Sequence, residues 1–305
     1  MTRATLGLAL LALTGGVVTG VPALRSVSAF PADQAAGRDT SASPLPSGVQ
    51  TARAGAAVTQ EQGYPFTDWD GRFVFVRIYF DADQGGDGGG RGLGGGFGRR
   101  GRGGGGCFRE PCWHHDYPTA ETNLTALLNE ITDTRAYVGG NVIRASDPQL
   151  HRFPLAWLAE PGHWTPDEKE VTNLRSYLLK GGFIIFDDFG DAEAPEVEHL
   201  VEQLQRIVPE LRPILLDGSE PIFHSFFDIA PENLLLHGYR ARFLDEQYYG
   251  YFEDNDRSKR QLAILNANND VGEFIEYNET GFSVVNMTNE AYKLAVNYIV
   301  YALTH

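Results

Sequence analysis

The hydrophobic residues of this chain follow two alternating patterns. Short segments that are apolar on both faces predict strands of a parallel sheet, because such a sheet is covered by helices on both sides. Longer segments with apolar residues at spacings of three and four predict the helices that cover it. The predicted strands are Arg72–Phe80, Tyr137–Ile143, Pro154–Glu160, Phe183–Phe186 and Gln261–Leu265.

The predicted helices lie between and after these strands. In one of them, Thr165 is the expected N-cap residue, with Pro166 at the first helical position and Glu168 closing a capping box. Strands and helices that alternate in this way predict an α/β fold with one doubly wound, mostly parallel sheet and helices on both faces. The predicted helices run from Thr119 or Thr122 to Thr134, from Thr165 to Gly181, from Pro195 to Val208 and from Asn289 to Leu303.

The N-terminal part of the chain does not share this pattern. Residues 4–18 form an apolar run behind Arg3, and small residues suited to cleavage follow at 27–29 and 21–23, so residues 1–29 predict a signal peptide. An uncleaved membrane anchor is the alternative. Residues 30–63 are small and polar and predict a disordered linker before a single domain at 64–305. We therefore expect an exported protein, periplasmic or extracellular, with no transmembrane helix in the mature chain.

The charge of the chain argues against nucleic acid as a partner. The formal net charge is −15 at pH 7, and the chain from residue 111 onward carries 31 acidic against 14 basic residues. A surface of this sign repels phosphate backbones. The exception is a Gly/Arg-rich insertion at residues 84–106, whose composition predicts a flexible surface loop. RNA binding by this loop, or its binding to the acidic domain, are the alternatives.

The chain has two cysteines, Cys107 and Cys112, which lie close together in sequence. In an exported protein this spacing favours a local disulfide. A metal site would need further ligands at a matching spacing, and a thiol nucleophile would need a base that the sequence does not identify.

The stretch Gly181–Asp191 (GGFIIFDDFGD) carries the main indication of a functional site. Asp187 and Asp188 come directly after an apolar strand, and open parallel sheets bind ligands beyond the carboxyl ends of their strands. The turns after the first and third predicted strands reach the same edge. The candidate binding residues are Trp113, His115, Asp116, Tyr117, His163, Asp187, Asp188 and His224.

Four of these residues, His163, Asp187, Asp188 and His224, form a ligand set that a divalent Zn, Mn or Fe ion would accept. Such an ion would activate water for hydrolysis, and without an ion the carboxylate pair can act as acid and base. Structural roles remain open for the same residues. Asp188 can cap a helix, and adjacent strand residues point to opposite faces.

A second polar group, NANNDVGE at residues 266–273, follows the last predicted strand. Its oxygen donors, among them Asn268 and Asp270, are of the kind that calcium binds, although the spacing of an EF-hand is absent. Side chains of this kind also satisfy their own backbone in turns. A contact with the main cleft is a further alternative, because the loop lies at the same edge of the sheet.

Several landmarks occur in one order along the chain. They are a W..DYP turn, a strand ending in a Gly-His pair, GGFIIFDDFG, PIFHSFFDI, HGY and a terminal AYKLAVNYIVYALT helix. In this order the segment Phe73–His305 resembles the bacterial domain of unknown function family 4159. The Gly/Arg-rich insertion departs from the family pattern and falls beside the candidate site.

The resemblance implies a flavodoxin-like sheet related to the class I glutamine amidotransferase-like superfamily, usually exported or membrane-associated, and it implies no established activity. That superfamily places a Cys nucleophile on a strand-to-helix elbow. Here the elbow carries Asp187–Gly190, and neither cysteine lies near it in sequence. The resemblance therefore does not support thiol chemistry.

These observations favour an exported binding or scaffold domain of the cell envelope, which keeps the fold without the thiol nucleophile. Its expected partner is a small molecule or an envelope protein. The alternative is a metal- or carboxylate-dependent hydrolase that acts on a small or carbohydrate-like envelope substrate. The sequence leaves the choice between enzyme and binding domain open.

Overall fold

The computed structural model describes residues 64, 66–81, 111–189, 195–230, 233–234, 246–278, 280–281 and 285–305. The predicted signal peptide (1–29), linker (30–63) and Gly/Arg-rich insertion (84–106) lie outside these residues, as does Cys107. No helix in the described ranges combines the length and the apolar character needed to cross a membrane.

In the described part of the chain, seven strands form one sheet in the order β2-β1-β3-β4-β7-β6-β5. The five strands from β2 to β7 in this order are parallel, whereas β6 is antiparallel to β7 and β5 is antiparallel to β6. The prediction of a mostly parallel α/β sheet is therefore confirmed. The strands are β1 (Phe75–Tyr79), β2 (Gly140–Arg144), β3 (Leu155–Ala159), β4 (Phe183–Asp187), β5 (Ile214–Leu215), β6 (Gln247–Phe252) and β7 (Gln261–Ala267).

Helices cover both faces of the sheet. One face packs against α2 and α3, and the other packs against α1, α4 and α5, so that two hydrophobic cores form. Central strand β4 serves both cores, because adjacent strand residues point to opposite faces. Ile184 and Phe186 join the first core, and Phe183 and Ile185 join the second. The helices are α1 (Thr119–Ile131), α2 (Glu168–Leu179), α3 (Pro195–Ile207), α4 (Val271–Glu276) and α5 (Val285–Thr304).

Helix α2 begins two residues later than the sequence suggested, and the predicted cap is wrong. The N-cap residue is Asp167, whose side chain accepts hydrogen bonds from the backbone N–H groups of Lys169 and Glu170. Glu170 closes the capping box on the backbone N–H of Asp167. The Thr-Pro-Asp-Glu and Asp-Glu-Lys-Glu segments both fit the capping-box pattern, and the carboxylate of Asp167 has the added advantage of negative charge at a helix N-terminus.

The region that looked irregular in sequence contains the antiparallel edge of the sheet. Strand β5 has two residues, too few to show a hydrophobic period, and β6 contains Gly250, a residue that weakens the sequence pattern of a strand. Helix α4 also escaped sequence analysis, because its six residues span less than two helical turns. Of these elements, helix α4 matters for the site, since the short loop between β7 and α4 carries Asp270.

A buried ion pair joins the first strand to the first helix. Arg77 of β1 and Glu121 of α1 are each about 1 % exposed, and both Nε and Nη2 of Arg77 lie 2.6 Å from Glu121 Oε1. The Arg77 charge also acts on the carboxylates of Asp116 and Asp187 above it. Removing one partner of such a pair leaves an uncompensated charge in a medium of low polarity.

We therefore expect Glu121→Gln to lower the free energy of unfolding by about 3–5 kcal/mol, measured by urea denaturation. Asp68→Asn is the matched control, because it breaks the exposed Asp68–Arg152 pair, whose atoms also lie 2.6 Å apart. That substitution should cost at most about 1 kcal/mol. Equal losses in the two variants would contradict the role given to burial.

Candidate functional site

Acidic side chains gather beyond the carboxyl ends of neighbouring strands. Glu160 directly follows β3, Asp187 and Asp188 lie at the end of β4, and Asp270 follows β7. Asp116 joins them from the turn before α1, and β3, β4 and β7 are adjacent in the sheet. Because parallel strands share one direction, their carboxyl ends meet at one edge, which is where open α/β sheets bind ligands.

Three of these acidic residues have a backbone conformation that L-residues rarely adopt. Asp116, Glu160 and Asp188 have φ values of 65°, 50° and 59°. This left-handed region costs roughly 1–2 kcal/mol for a residue with a Cβ. Backbone strain of this kind is concentrated at functional sites. Its coincidence with three converging carboxylates supports a functional origin.

The first group of potential ligands, which we name the histidine cluster, consists of His115, Glu160 and Asp188. His115 Nδ1 lies 3.0 Å from Glu160 Oε1 and 3.0 Å from Asp188 Oδ2. The two carboxylates are at most 1 % exposed, whereas the imidazole is about a quarter exposed. One potential ligand atom from each residue lies within 4.8 Å of the other two.

The electrostatics of the histidine cluster reflect two carboxylates around one ring nitrogen. Hydrogen bonding to Asp188 and to Glu160 raises the pKa of His115 to about 11. Burial and the nearby Asp188 charge raise the pKa of Glu160 to about 7. Apart from its short distance to His115, the Glu160 carboxylate has no hydrogen-bond partner among the described residues. A positive charge beside the two carboxylates is therefore strongly favoured.

The second group, which we name the aspartate cluster, consists of Asp116, Asp188 and Asp270, again with potential ligand atoms within 4.8 Å of one another. Burial, followed by the Asp188 charge, raises the pKa values of Asp116 and Asp270 well above the usual range. Asp270 also caps α4, since its Oδ1 accepts a hydrogen bond from the backbone N–H of Glu273. Asp188 is shared by both clusters.

Asp187, predicted as a metal ligand, belongs to neither cluster. Its Oδ1 accepts hydrogen bonds from Asn266 Nδ2 at 2.8 Å and from the backbone N–H of Val271 at 3.2 Å. Its Oδ2 accepts one from the backbone N–H of Gly272 at 2.8 Å. The side chain is fully buried, and it ties the end of β4 to the first turn of α4. Asp187 thus positions its neighbours.

A cavity of about 230 Å³ opens beside the aspartate cluster. Its walls carry carboxylate, imidazole and phenol groups, and no Lys or Arg side chain is among its described lining residues. Burial raises the pKa of the Tyr117 phenol, which therefore stays protonated at neutral pH. The lining residues are His114, His115, Asp116, Tyr117, Asp270, Glu273, Glu276 and Tyr277.

The two remaining predicted metal ligands behave differently. His163 lies next to the histidine cluster, with its Nε2 3.7 Å from Glu160 Oε2, and burial lowers its pKa. His224 does not join the site. Its Nδ1 lies 2.6 Å from Asp228 Oδ1 and its Nε2 lies 2.8 Å from the Gly218 carbonyl oxygen. Of the four predicted metal ligands, only Asp188 belongs to a cluster.

The aromatic turn supports the site from one side. Trp113 is buried and packs edge-on against Tyr64 and Tyr79 and at a tilt against Tyr117. This packing fixes the turn that carries His115 and Asp116. Trp113 therefore packs in the core, whereas Tyr117 also lines the cavity.

Most of the Asx-rich loop after β7 is engaged in structural contacts. Asn268 occupies a left-handed turn position with φ 58°, and Asn269 Nδ2 donates to the Tyr248 hydroxyl at 2.8 Å. Asn266 bonds to Asp187 and accepts from the Tyr298 hydroxyl at 3.0 Å. Of this loop, Asp270 is the residue that the structure brings into the aspartate cluster.

Glu160 is the functional candidate that sequence analysis missed. It ends PLAWLAE, the third predicted strand, and the predicted ligand His163 lies in the turn that follows. The rule that selected Asp187 and Asp188, a carboxylate beyond an apolar strand, applies equally to Glu160. What the sequence does not show is its left-handed φ, which places the side chain against His115.

Cys112 is buried and disulfide-bonded. Cys107, its predicted partner, lies outside the described residues, so that the pairing stays a prediction.

The raised pKa of Glu160 predicts a pH dependence of stability. Folded protein keeps the Glu160 proton up to about pH 7, whereas the unfolded chain releases it near 4.5. With metals removed by a chelator, the free energy of unfolding should therefore fall as the pH rises from 4.5 to 6.5. The Glu160→Gln substitution should abolish up to about 3 kcal/mol of this fall in the free energy of unfolding.

The measurement is urea denaturation of wild type and Glu160→Gln at several pH values. Glu168→Gln serves as the control, because this α2 side chain is 86 % exposed and should leave the pH slope unchanged. Identical slopes in wild type and Glu160→Gln would contradict the predicted proton uptake.

A search of curated proteins found no match for this chain. A family model described as "Domain of unknown function (DUF4159)" matches residues 105–303. The matched range contains every residue of the histidine and aspartate clusters, together with β2 to β7. It begins after β1 and so excludes Arg77. The chain belongs to the DUF4159 family.

Proposed function

We propose that this protein is a metal-dependent hydrolase, and that the histidine cluster holds its divalent cation. The observation that carries the proposal is the convergence of one imidazole nitrogen and two buried carboxylate oxygens, at 3.0 Å from the nitrogen to each oxygen. Two ligands of one such ion, each about 2.1 Å from it, are separated by roughly 3.0 Å in octahedral and roughly 3.4 Å in tetrahedral geometry. The donor set, with one nitrogen and two oxygens, suits Zn, Mn or Fe.

The local charge supports a cation at this place. Five buried carboxylates share the edge of the sheet. Arg77 is already paired with Glu121. In the described part of the chain, the other basic side chains at the clusters are His115 and, 3.7 Å from Glu160 Oε2, His163. Carboxylates that share a site without enough positive charge either take up protons or bind metal. The five are Asp116, Glu160, Asp187, Asp188 and Asp270.

The residues around the histidine cluster suit hydrolysis. A bound divalent cation would supply an acidified water and polarise the substrate. His163, whose lowered pKa keeps it neutral at pH 7, is the nearby group able to accept a proton. Tyr117, whose phenol stays protonated, can donate a hydrogen bond to a substrate oxygen in the cavity. The cavity volume suits a small polar substrate or one sugar-sized group.

A second candidate function is a binding or scaffold domain that holds a ligand at the same edge without turnover. It is favoured by the state of Cys112, which is disulfide-bonded, so that the described residues include no free thiol for amidotransferase-like chemistry. For both functions we propose export, on the strength of the apolar run at residues 4–18 and the cleavage-suited residues after it. The substrate or partner would then belong to the cell envelope.

The cation is tested by elemental mass spectrometry of the purified full chain, reloaded with Zn²⁺ and desalted. His115→Ala and Glu160→Gln should lose at least about 90 % of the bound metal, because each removes one of three ligands. His224→Ala is the matched control, a histidine with both ring nitrogens engaged elsewhere, and should retain metal. Metal retained in all three variants would overturn the proposed centre.

Turnover is tested on a panel of small esters, amides, phosphoesters and glycosides. We expect His163→Ala to lower kcat by about 10²-fold or more with metal content unchanged, since it removes a proton acceptor and no ligand. His151→Ala, which removes a ring packed against Tyr177 outside both clusters, is the control and should keep wild-type turnover. Stoichiometric metal with no turnover on any substrate would favour the binding domain.

A further inference from the structure

We propose that the aspartate cluster is a second cation site, selective for Mg²⁺, Mn²⁺ or Ca²⁺, and that this second ion faces the substrate. The inference deepens the proposed function and rests on it through one shared residue, Asp188. Asp188 would bridge the two ions. The arrangement assigns different tasks to the two positions, because two residues of the aspartate cluster line the cavity and one residue of the histidine cluster does.

The geometry of the aspartate cluster is that of a ligand set. Asp116, Asp188 and Asp270 come from three separate segments, before α1, after β4 and before α4, and yet one oxygen of each lies within 4.8 Å of the others. All three side chains are at least nine-tenths buried. Three carboxylates brought together in this way repel one another unless a cation or protons lie between them.

An unpartnered oxygen gives a second, independent indication. Asp116 Oδ2 is buried and has no hydrogen-bond partner among the described residues. Buried polar atoms almost always have a partner, and an atom that lacks one is often the ligand of an ion or a water molecule. The carboxylate lies against Gly272, where an added Cβ would come within van der Waals overlap of Oδ2. The fold thus leaves room for this carboxylate and gives it no donor.

The nearest cationic side chains are committed elsewhere. Arg77 acts on Asp116 only at a distance, because its Nε and Nη2 bond to Glu121. His115 Nδ1 faces Glu160 and Asp188 in the histidine cluster. Within the described residues, these basic groups therefore do not offset the repulsion between Asp116 and Asp270, which protons or a cation would relieve.

The donor atoms separate the two sites chemically. The aspartate cluster offers oxygen only, which suits hard cations such as Mg²⁺, Mn²⁺ and Ca²⁺. The histidine cluster adds an imidazole nitrogen, which suits Zn, Mn or Fe. We therefore expect the histidine cluster to hold Zn²⁺ and the aspartate cluster to exchange Mg²⁺, with Mn²⁺ acceptable to both.

The position of the second site gives it a function. Two of the three residues of the aspartate cluster, Asp116 and Asp270, line the 230 Å³ cavity, whereas His115 is the one residue of the histidine cluster that does. Asp270, Glu273 and Glu276 make the cavity wall strongly negative, so that an anionic substrate would be repelled without a cation. A second ion in this place favours substrates with a phosphoryl or carboxylate oxygen, as in two-metal hydrolases.

The experiment is equilibrium dialysis of the chelator-treated full chain against excess Mn²⁺, counted by elemental mass spectrometry. Wild type should bind about two Mn²⁺ per chain, and its electron paramagnetic resonance spectrum should show coupling between ions that share Asp188. Asp270→Asn and Gly272→Ala should each bind about one. Asn caps a helix as well as Asp does, so α4 should keep its N-cap.

Two further variants complete the test. Glu160→Gln should also bind about one ion, while Glu273→Gln, a cavity-wall carboxylate outside both clusters, should bind about two like wild type. Thermal melting of each variant checks that it is folded.

The outcomes distinguish this inference from the proposed function. If wild type binds one ion, and this ion is lost in Glu160→Gln and kept in Asp270→Asn, the result would overturn the site at the aspartate cluster and leave the site at the histidine cluster intact. One ion in wild type that is lost in Asp270→Asn and kept in Glu160→Gln would overturn the proposed function and leave the aspartate site. No bound ion in wild type would overturn both.

Discussion

The carboxylate of Asp187 is the contact on which the arrangement of the site depends. It is fully buried and accepts three hydrogen bonds, one from Asn266 of β7 and two from the first backbone N–H groups of α4. These bonds join the end of β4 to the start of α4. As a result Asp188, the next residue, lies beside Asp270, the N-cap of that helix. A residue that belongs to neither cluster thus determines which carboxylates meet.

The site concentrates negative charge in a place from which water is largely excluded. Burial disfavours the charged form of each carboxylate, and the charge of Asp188 raises the pKa values of Glu160, Asp116 and Asp270 further. Such an arrangement lowers the stability of the fold, and perturbed pKa values of this kind are concentrated at functional sites. The left-handed φ values of Asp116, Glu160 and Asp188 add backbone strain at the same place.

The parallel sheet explains how this concentration arises. Strands of one direction bring all their carboxyl ends to one edge, so that a single acidic residue after each strand is enough to build a cluster. The antiparallel strands β5 and β6 lie at the far edge of the sheet and contribute none of the clustered residues. His224, which lies between those two strands in sequence, is held by Asp228 and Gly218 instead.

The sequence by itself determined the α/β class and the five parallel strands, because hydrophobic periodicity records burial directly, and it predicted Asp187 and Asp188 at the carboxyl edge of the sheet. It also identified the family through the order of its landmarks. Only the tertiary structure decided which side chains converge. The left-handed backbone of Glu160 places its side chain in the site. The carboxylate of Asp187 instead bonds to α4, a helix too short to leave a periodic signal in the sequence. Both outcomes depend on contacts between segments far apart in the chain, which no local pattern encodes.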